Sequence, residues 1–218
     1  MLARILPFAV YIAFIGIEDL ARLLGAADRL LLFLYPLKIF AVAAALWHFR
    51  RSYSELKWKD LAGAGNSAFS IGIGVAVFAF WIQMTWPFAV FGTLTGYDPT
   101  AIEDTSVRYF MITTRIIGAA MVVPVMEEIF WRSFVIRYII NPDFLRVPVG
   151  SFSWLSFALV SVLFGLEHNL WLAGIMAGVA YNLVLYRTKS VAQCVLAHAV
   201  TNALLAVYVL ATSSWHFW

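Results

Sequence analysis

Residues 121–137 read MVVPVMEEIFWRSFVIR. An apolar run enters two adjacent carboxylates, Glu127 and Glu128, and Arg132 follows four residues after the second. Charge this dense inside an apolar run is costly in lipid and marks a functional site by default. The rest of the chain supports a lipid setting. Of its 218 residues 63% are hydrophobic and 12% charged, where a soluble domain has about 25% charged. Several apolar runs approach the roughly 20 residues that cross a bilayer core. The expected fold is all-α, a polytopic membrane helical bundle of seven or eight transmembrane helices. The net charge of +3 reflects the placement of basic loops, and no nucleic-acid signature is present. The single cysteine, Cys194, makes no internal disulfide and reads as a small core residue.

Working outward, helices are expected near Arg4–Leu24, Leu30–Phe49, Ser67–Trp86, Val107–Ile140, Ser151–Glu167, Trp171–Tyr186 and Val191–Ala211. The fourth should kink at Pro124, and Asn141-Pro142-Asp143 ends it. The start of the chain has a signal-peptide outline, with Arg4 ahead of an apolar run. Glu18-Asp19 directly after that run is a poor cleavage context and favours a retained first helix. One integral-membrane domain over 1–218 fits the length, with helices one to three in 1–105 and the polar constellation in 106–212. Arg50, Arg51, Lys57, Lys59, Arg137, Arg146, Arg187 and Lys189 fall on one side if the helices alternate. The other side holds Asp28, Asp98, Glu103 and Asp104 with Arg22, Arg29 and Arg108. The positive-inside rule then puts the N-terminus in the cytoplasm and the C-terminus outside. Ala173, Gly174, Ala177 and Gly178 read as close helix packing. Lys38 and Arg115 are expected to snorkel or to pair with an unnamed carboxylate.

Glu128 and Arg132, four apart, share a helix face and can pair, which leaves Glu127 about 100° further round, free to point elsewhere. Like charge and low dielectric both tune a carboxyl toward base catalysis; a salt-bridged cluster that only pins the helix is the plainer alternative. Phe164 and His168 are four apart at the end of the fifth helix. His198 and Asn202 are four apart on the seventh and share a face. His and Glu are also common zinc ligands, although the spacing contains no HExxH. Helical rise puts Glu127 roughly 5–10 Å, His168 roughly 10–15 Å and His198 about 10 Å inside the cytoplasmic boundary, one shared depth. The same arithmetic makes helices five and six a short hairpin.

Glu127-Glu128-x-x-x-Arg132, Phe164-x-x-x-His168 and His198-x-x-x-Asn202 together resemble the three motifs of the CAAX prenyl protease and bacteriocin-processing family, also called Abi. The resemblance covers Met121 to Leu204. The small size is similar to that of the CAAX-protease-related proteins of bacterial exosortase systems. The glycine usual after the motif arginine is Ser133 here, a departure that bears on packing. The resemblance implies an intramembrane endopeptidase that uses a glutamate-activated water. Carried over by position, it makes Glu127 the general base and gives His168 the task of orienting the water. His198 and Asn202 become oxyanion donors, with Glu128, Arg132 and Phe164 in support. No metal and no other cofactor is expected. The partners implied are a membrane-associated peptide or protein substrate and the lipid bilayer, most readily a bacterial inner membrane. The competing function is a non-proteolytic membrane scaffold or regulator of another membrane protein. A small transporter is the third reading, but it calls for inverted repeats, and none is found.

Overall fold

The computed structural model describes residues 1–94 and 96–218; Asp28 and Arg29 are described in backbone only. The part of the charge pattern carried by those two side chains lies outside the described residues. Among the described residues seven helices follow in order: α1 (Leu2–Leu23), α2 (Asp28–His48), α3 (Ala64–Trp81), α4 (Thr105–Ile140), α5 (Trp154–Leu166), α6 (Trp171–Thr188) and α7 (Val191–Thr212). This is the all-α membrane bundle expected. Among the described residues, four stretches are long and apolar enough to cross a membrane: Leu30–His48, Ala64–Trp81, Thr105–Ile140 and Val191–Thr212. In α1 the charges of Arg4, Glu18 and Asp19 interrupt the apolar character. Helix α5 has 13 residues, about 20 Å of rise against a core of roughly 30 Å. It turns back into α6, 18 residues long, and the two pack against each other as a hairpin.

Local chemistry sets the helix ends. Asp104 caps α4 by accepting from the Ser106 and Val107 N–H groups at 2.8 and 3.0 Å. Ser153 caps α5 through the Ser156 N–H at 3.1 Å. Lys189, at φ 54°, ends α6 in the left-handed conformation. Helix α3 stops at Trp81, five residues short of the expected Trp86, and Pro87 opens a separate short turn.

Pro124 does not interrupt α4. The helix runs 36 residues, about 54 Å, and carries two wide π turns, Gly118–Val122 and Ile129–Val135, on either side of Val123–Glu128. Proline lacks the N–H for an ordinary turn. A wider turn placed just ahead of it accommodates the missing donor, so the helix is continuous through Pro124. Such turns are frequent at functional sites, and here they bracket the carboxylate pair.

Close approach of small residues brings the helices together. Thr201 Oγ1 donates to the Gly74 carbonyl at 2.9 Å where α3 meets α7. A methyl group on Gly174 would stand 2.8 Å from the Gly165 Cα where α5 meets α6. Phe8 of α1 stacks on Phe130 of α4 at 4.0 Å. A buried ionic cluster ties α1 and the α2–α3 loop to α4. Arg4 donates to both Glu55 oxygens at 2.6 and 2.7 Å. Ser133 Oγ donates to Glu55 and accepts from Arg137 Nη2 at 3.0 Å. Ser133 thus does more than pack: its hydroxyl joins this cluster.

Lys38 and Arg115, expected to snorkel or to pair with a carboxylate, lie against aromatic rings. Lys38 Nζ lies 4.5 Å from the Tyr11 ring and 5.1 Å from Tyr35. The Arg115 guanidinium lies 4.4 Å from Tyr97, 4.7 Å from Tyr35 and 5.8 Å from Trp218. Ring faces offer negative potential without the cost of burying a second ion.

Candidate active site

The helix pairings converge on one cavity of about 250 Å³. Glu127, Phe164, His168, His198 and Asn202 all line it, together with Tyr181 of α6 and Trp81 of α3. Residues from five helices, spread from Trp81 to Asn202, are therefore brought to one space. Glu128 and Arg132 sit behind that lining, both fully buried.

Arg132 is anchored on three sides. Nη1 donates to Glu128 Oε1 at 3.1 Å, Nε to Asn182 Oδ1 at 3.2 Å and Nη2 to the Gly178 carbonyl at 3.2 Å. Its guanidinium lies 4.4 Å from the Phe164 ring. The expected pairing of Glu128 with Arg132 is present, and Asn182 and Gly178 extend it to α6.

The same oxygen, Glu128 Oε1, also accepts from His198 Nδ1 at 2.9 Å. That contact fixes the imidazole on the α7 face and turns Nε2 toward Glu127, 4.0 Å from Oε2. Tyr181 stacks on the His198 ring at 4.9 Å and hydrogen-bonds Thr201 one helical turn away. The orientation of His198 is thus set by groups from α4, α6 and α7 together.

His168 follows the last turn of α5. Its Nδ1 is 2.7 Å from the Phe164 carbonyl. A carbonyl only accepts, so Nδ1 carries the proton and Nε2 is an acceptor. The Trp81 ring meets the His168 ring edge-on at 5.4 Å. Asn202 directs Nδ2 to the Ala119 carbonyl at 2.8 Å, within the first wide turn of α4.

Glu127 is 6% exposed, and its Oε2 has no hydrogen-bond partner among the described residues. A carboxylate oxygen left this way in a cavity is poised for a ligand or a proton donor. One neighbour escaped the sequence reading. Glu167 accepts from the Trp131 indole N–H at 3.0 Å, and Glu127, Glu167 and His168 each offer one atom within 4.8 Å of the other two. Two carboxylates and an imidazole at that spacing can hold one small occupant, a water or a cation. The available signal was a second acid beside the motif histidine, inside an apolar helix end.

Residues 109–204 match the family model described as type II CAAX prenyl endopeptidase, Rce1-like. Comparison with curated proteins and with solved structures gave no match. The matched stretch runs from α4 into α7 and contains every cavity residue of the three motifs.

Proposed function

We propose, on the premise that residues 109–204 are an Rce1-like CAAX endopeptidase region of a membrane protease, that the chain hydrolyses a peptide bond in a membrane-associated substrate with a water activated by Glu127. The observation that carries this reading is the buried, unpartnered Oε2 of Glu127, a residue of the same cavity lining as His168, His198 and Asn202. A water there donates one hydrogen to Glu127 and the other to His168 Nε2. Its oxygen is then directed at a carbonyl carbon. Glu127 takes the proton as the bond forms.

The developing oxyanion needs donors. With both ring nitrogens protonated, His198 donates Nδ1–H to Glu128 and offers Nε2–H to the oxyanion. The amide of Asn202 has a second N–H beyond the one held by Ala119. Arg132 keeps Glu128 in place and so keeps His198 aimed. The reaction so written uses no cofactor. Residues 1–218 act as one integral-membrane unit, in a bacterial inner membrane with the N-terminus cytoplasmic.

The test is Glu127→Gln, which conserves shape and hydrogen-bonding capacity but removes the base. It should abolish cleavage of a membrane-anchored peptide while leaving the thermal melting of the purified protein within about 2 °C of wild type, since the amide keeps the volume of the buried carboxyl and no hydrogen bond of the described residues is lost. Full retention of the physiological role by this variant would replace the protease reading with the scaffold one.

A further inference from the structure

Glu167 has no part in the mechanism above, yet it stands in the same cluster. It lies in the turn between α5 and α6, directly before His168. The bonds around the cluster show which atoms converge. Glu127 Oε2 is buried and has no partner among the described residues. Glu167 gives one oxygen, Oε1, to the Trp131 indole, which leaves Oε2 without a donor among the described residues. His168 has committed its Nδ1 proton to Phe164, so Nε2 is an acceptor. Three residues, each with an acceptor to spare, therefore place one ligand atom apiece within 4.8 Å of the other two.

A single water has two hydrogens to donate and can satisfy two of the three. The hydrogen-bond count closes with one additional proton or with a cation. The nearby positive groups do not close the count: Arg132 is held by Glu128, Asn182 and Gly178, and His198 is held by Glu128 through Nδ1 while its Nε2 stays 4.0 Å from Glu127 Oε2, beyond hydrogen-bond reach. Glu167 is the exposed member of the trio and Glu127 the buried one, so Glu167 is better placed to exchange a proton with the surroundings.

We propose that Glu167 is a second catalytic residue, the general acid that delivers a proton to the leaving amine. The proposal rests on the reading of Glu127 as base. Water adds to the carbonyl carbon and its proton goes to Glu127. The C–N bond then breaks, its electron pair stays on nitrogen, and nitrogen takes the proton from Glu167. Glu127 passes its proton to Glu167, which restores both groups. Water and amide yield acid and amine, with no other reactant.

The experiment uses the purified full chain in liposomes with two probes: a farnesylated Cys-Ala-Ala-Met peptide, and an aryl ester of the same farnesylcysteine acyl group. The aryloxide of the ester leaves without a proton. Glu167→Gln keeps an acceptor for Trp131. It should slow amide cleavage about 100-fold or more, the span of general-acid catalysis, and leave ester cleavage within about threefold, well inside that span. Glu127→Gln should slow both. An equal loss on both probes, or no loss on either, overturns the role of Glu167. Chelator inactivation of the wild type, reversed by zinc, also overturns it, because a cation then satisfies the acceptors. Full activity of Glu127→Gln, with amide and ester still separated by Glu167→Gln, defeats the base reading alone. A readout independent of turnover is the infrared carbonyl band of a protonated carboxyl at neutral pH. It should be present in wild type and absent in Glu167→Gln; its persistence in the variant overturns the proposal whether or not either probe is cleaved.

Discussion

Arg132 and Glu127 are five positions apart and should respond to substitution in opposite ways. Arg132 is fully buried and donates to three acceptors on two helices. Arg132→Ala leaves the Glu128 carboxylate buried with only His198 against it. Breaking such a pair costs about 3–5 kcal/mol, so the variant should unfold earlier in denaturant as well as lose activity. His198→Ala and Asn202→Ala remove proposed oxyanion donors. Each should lower kcat by about 100- to 1000-fold with little change in KM, measured by steady-state cleavage of one membrane-anchored peptide. A rise in KM at constant kcat would assign these residues to substrate binding. The motif residues were legible because ionisable groups are rare in lipid and their spacing carried the resemblance. Glu167 was passed over because an acid at a helix end reads as solvated until the partner helix is in place. The partners of Lys38 and Arg115 were hidden for a different reason: the search was for carboxylates, and both cations rest on rings.

The elements depend on two kinds of join, one tight and apolar, the other ionic. At the α5–α6 crossing a methyl on Gly174 would stand 2.8 Å from the Gly165 Cα and 3.2 Å from His168 Nδ1. Gly174→Ala should therefore push α5 and α6 apart, costing about 1–3 kcal/mol, and should shift His168 within the cavity. Circular dichroism melting with a parallel cleavage assay would show both losses; retention of full activity would mean that the hairpin tolerates displacement. The ionic join is centred on Glu55. Burial pushes its carboxyl up, but the hydrogen bonds from Arg4 and Ser133 outweigh burial and hold it below the ordinary 4.5. A carboxyl depressed in the folded state contributes stability that is complete above its unfolded value and is lost as pH falls through the folded value. Melting temperature should hence decline below about pH 4.5, and the decline should be shallower in Glu55→Gln. Equal slopes in the two proteins would show that Glu55 does not set acid sensitivity. The sequence placed the helices well but not this join, because Glu55 and Ser133 lie 78 residues apart and no helical period relates them.

Across the whole molecule the loops gather into two opposed groups. Lys189 Nζ donates to the Gly150 carbonyl at 2.5 Å, Ser190 Oγ to Asp60 at 2.7 Å and Arg137 Nη1 to the Val147 carbonyl at 3.4 Å. The loops after α2, α4 and α6 therefore form one face, and it carries Arg50, Arg51, Lys57, Lys59, Arg146, Arg187 and Lys189. At the other end Tyr97 N–H donates to the Trp218 carbonyl at 3.3 Å, and the α3–α4 segment reaches the α5–α6 turn through Phe91 N–H to Asn169 O at 2.8 Å. The folding pattern fixes which loops share a side; the basic residues then choose the side. Lysine and arginine in short loops are retained in the cytoplasm, so the face with Arg51 should be cytoplasmic and the face with Thr100 external. Cys194 is buried, and Cys194→Ala supplies a thiol-free background. In that background Arg51→Cys should react with an impermeant maleimide only after the membrane is opened, whereas Thr100→Cys should react in intact cells. Labelling of Arg51→Cys in intact cells, with protection of Thr100→Cys, would invert the orientation. The cavity lining runs from Glu127 to Arg115, Phe217 and Trp218, toward the end that bears Thr100. The same experiment therefore decides from which side of the membrane a substrate meets Glu127.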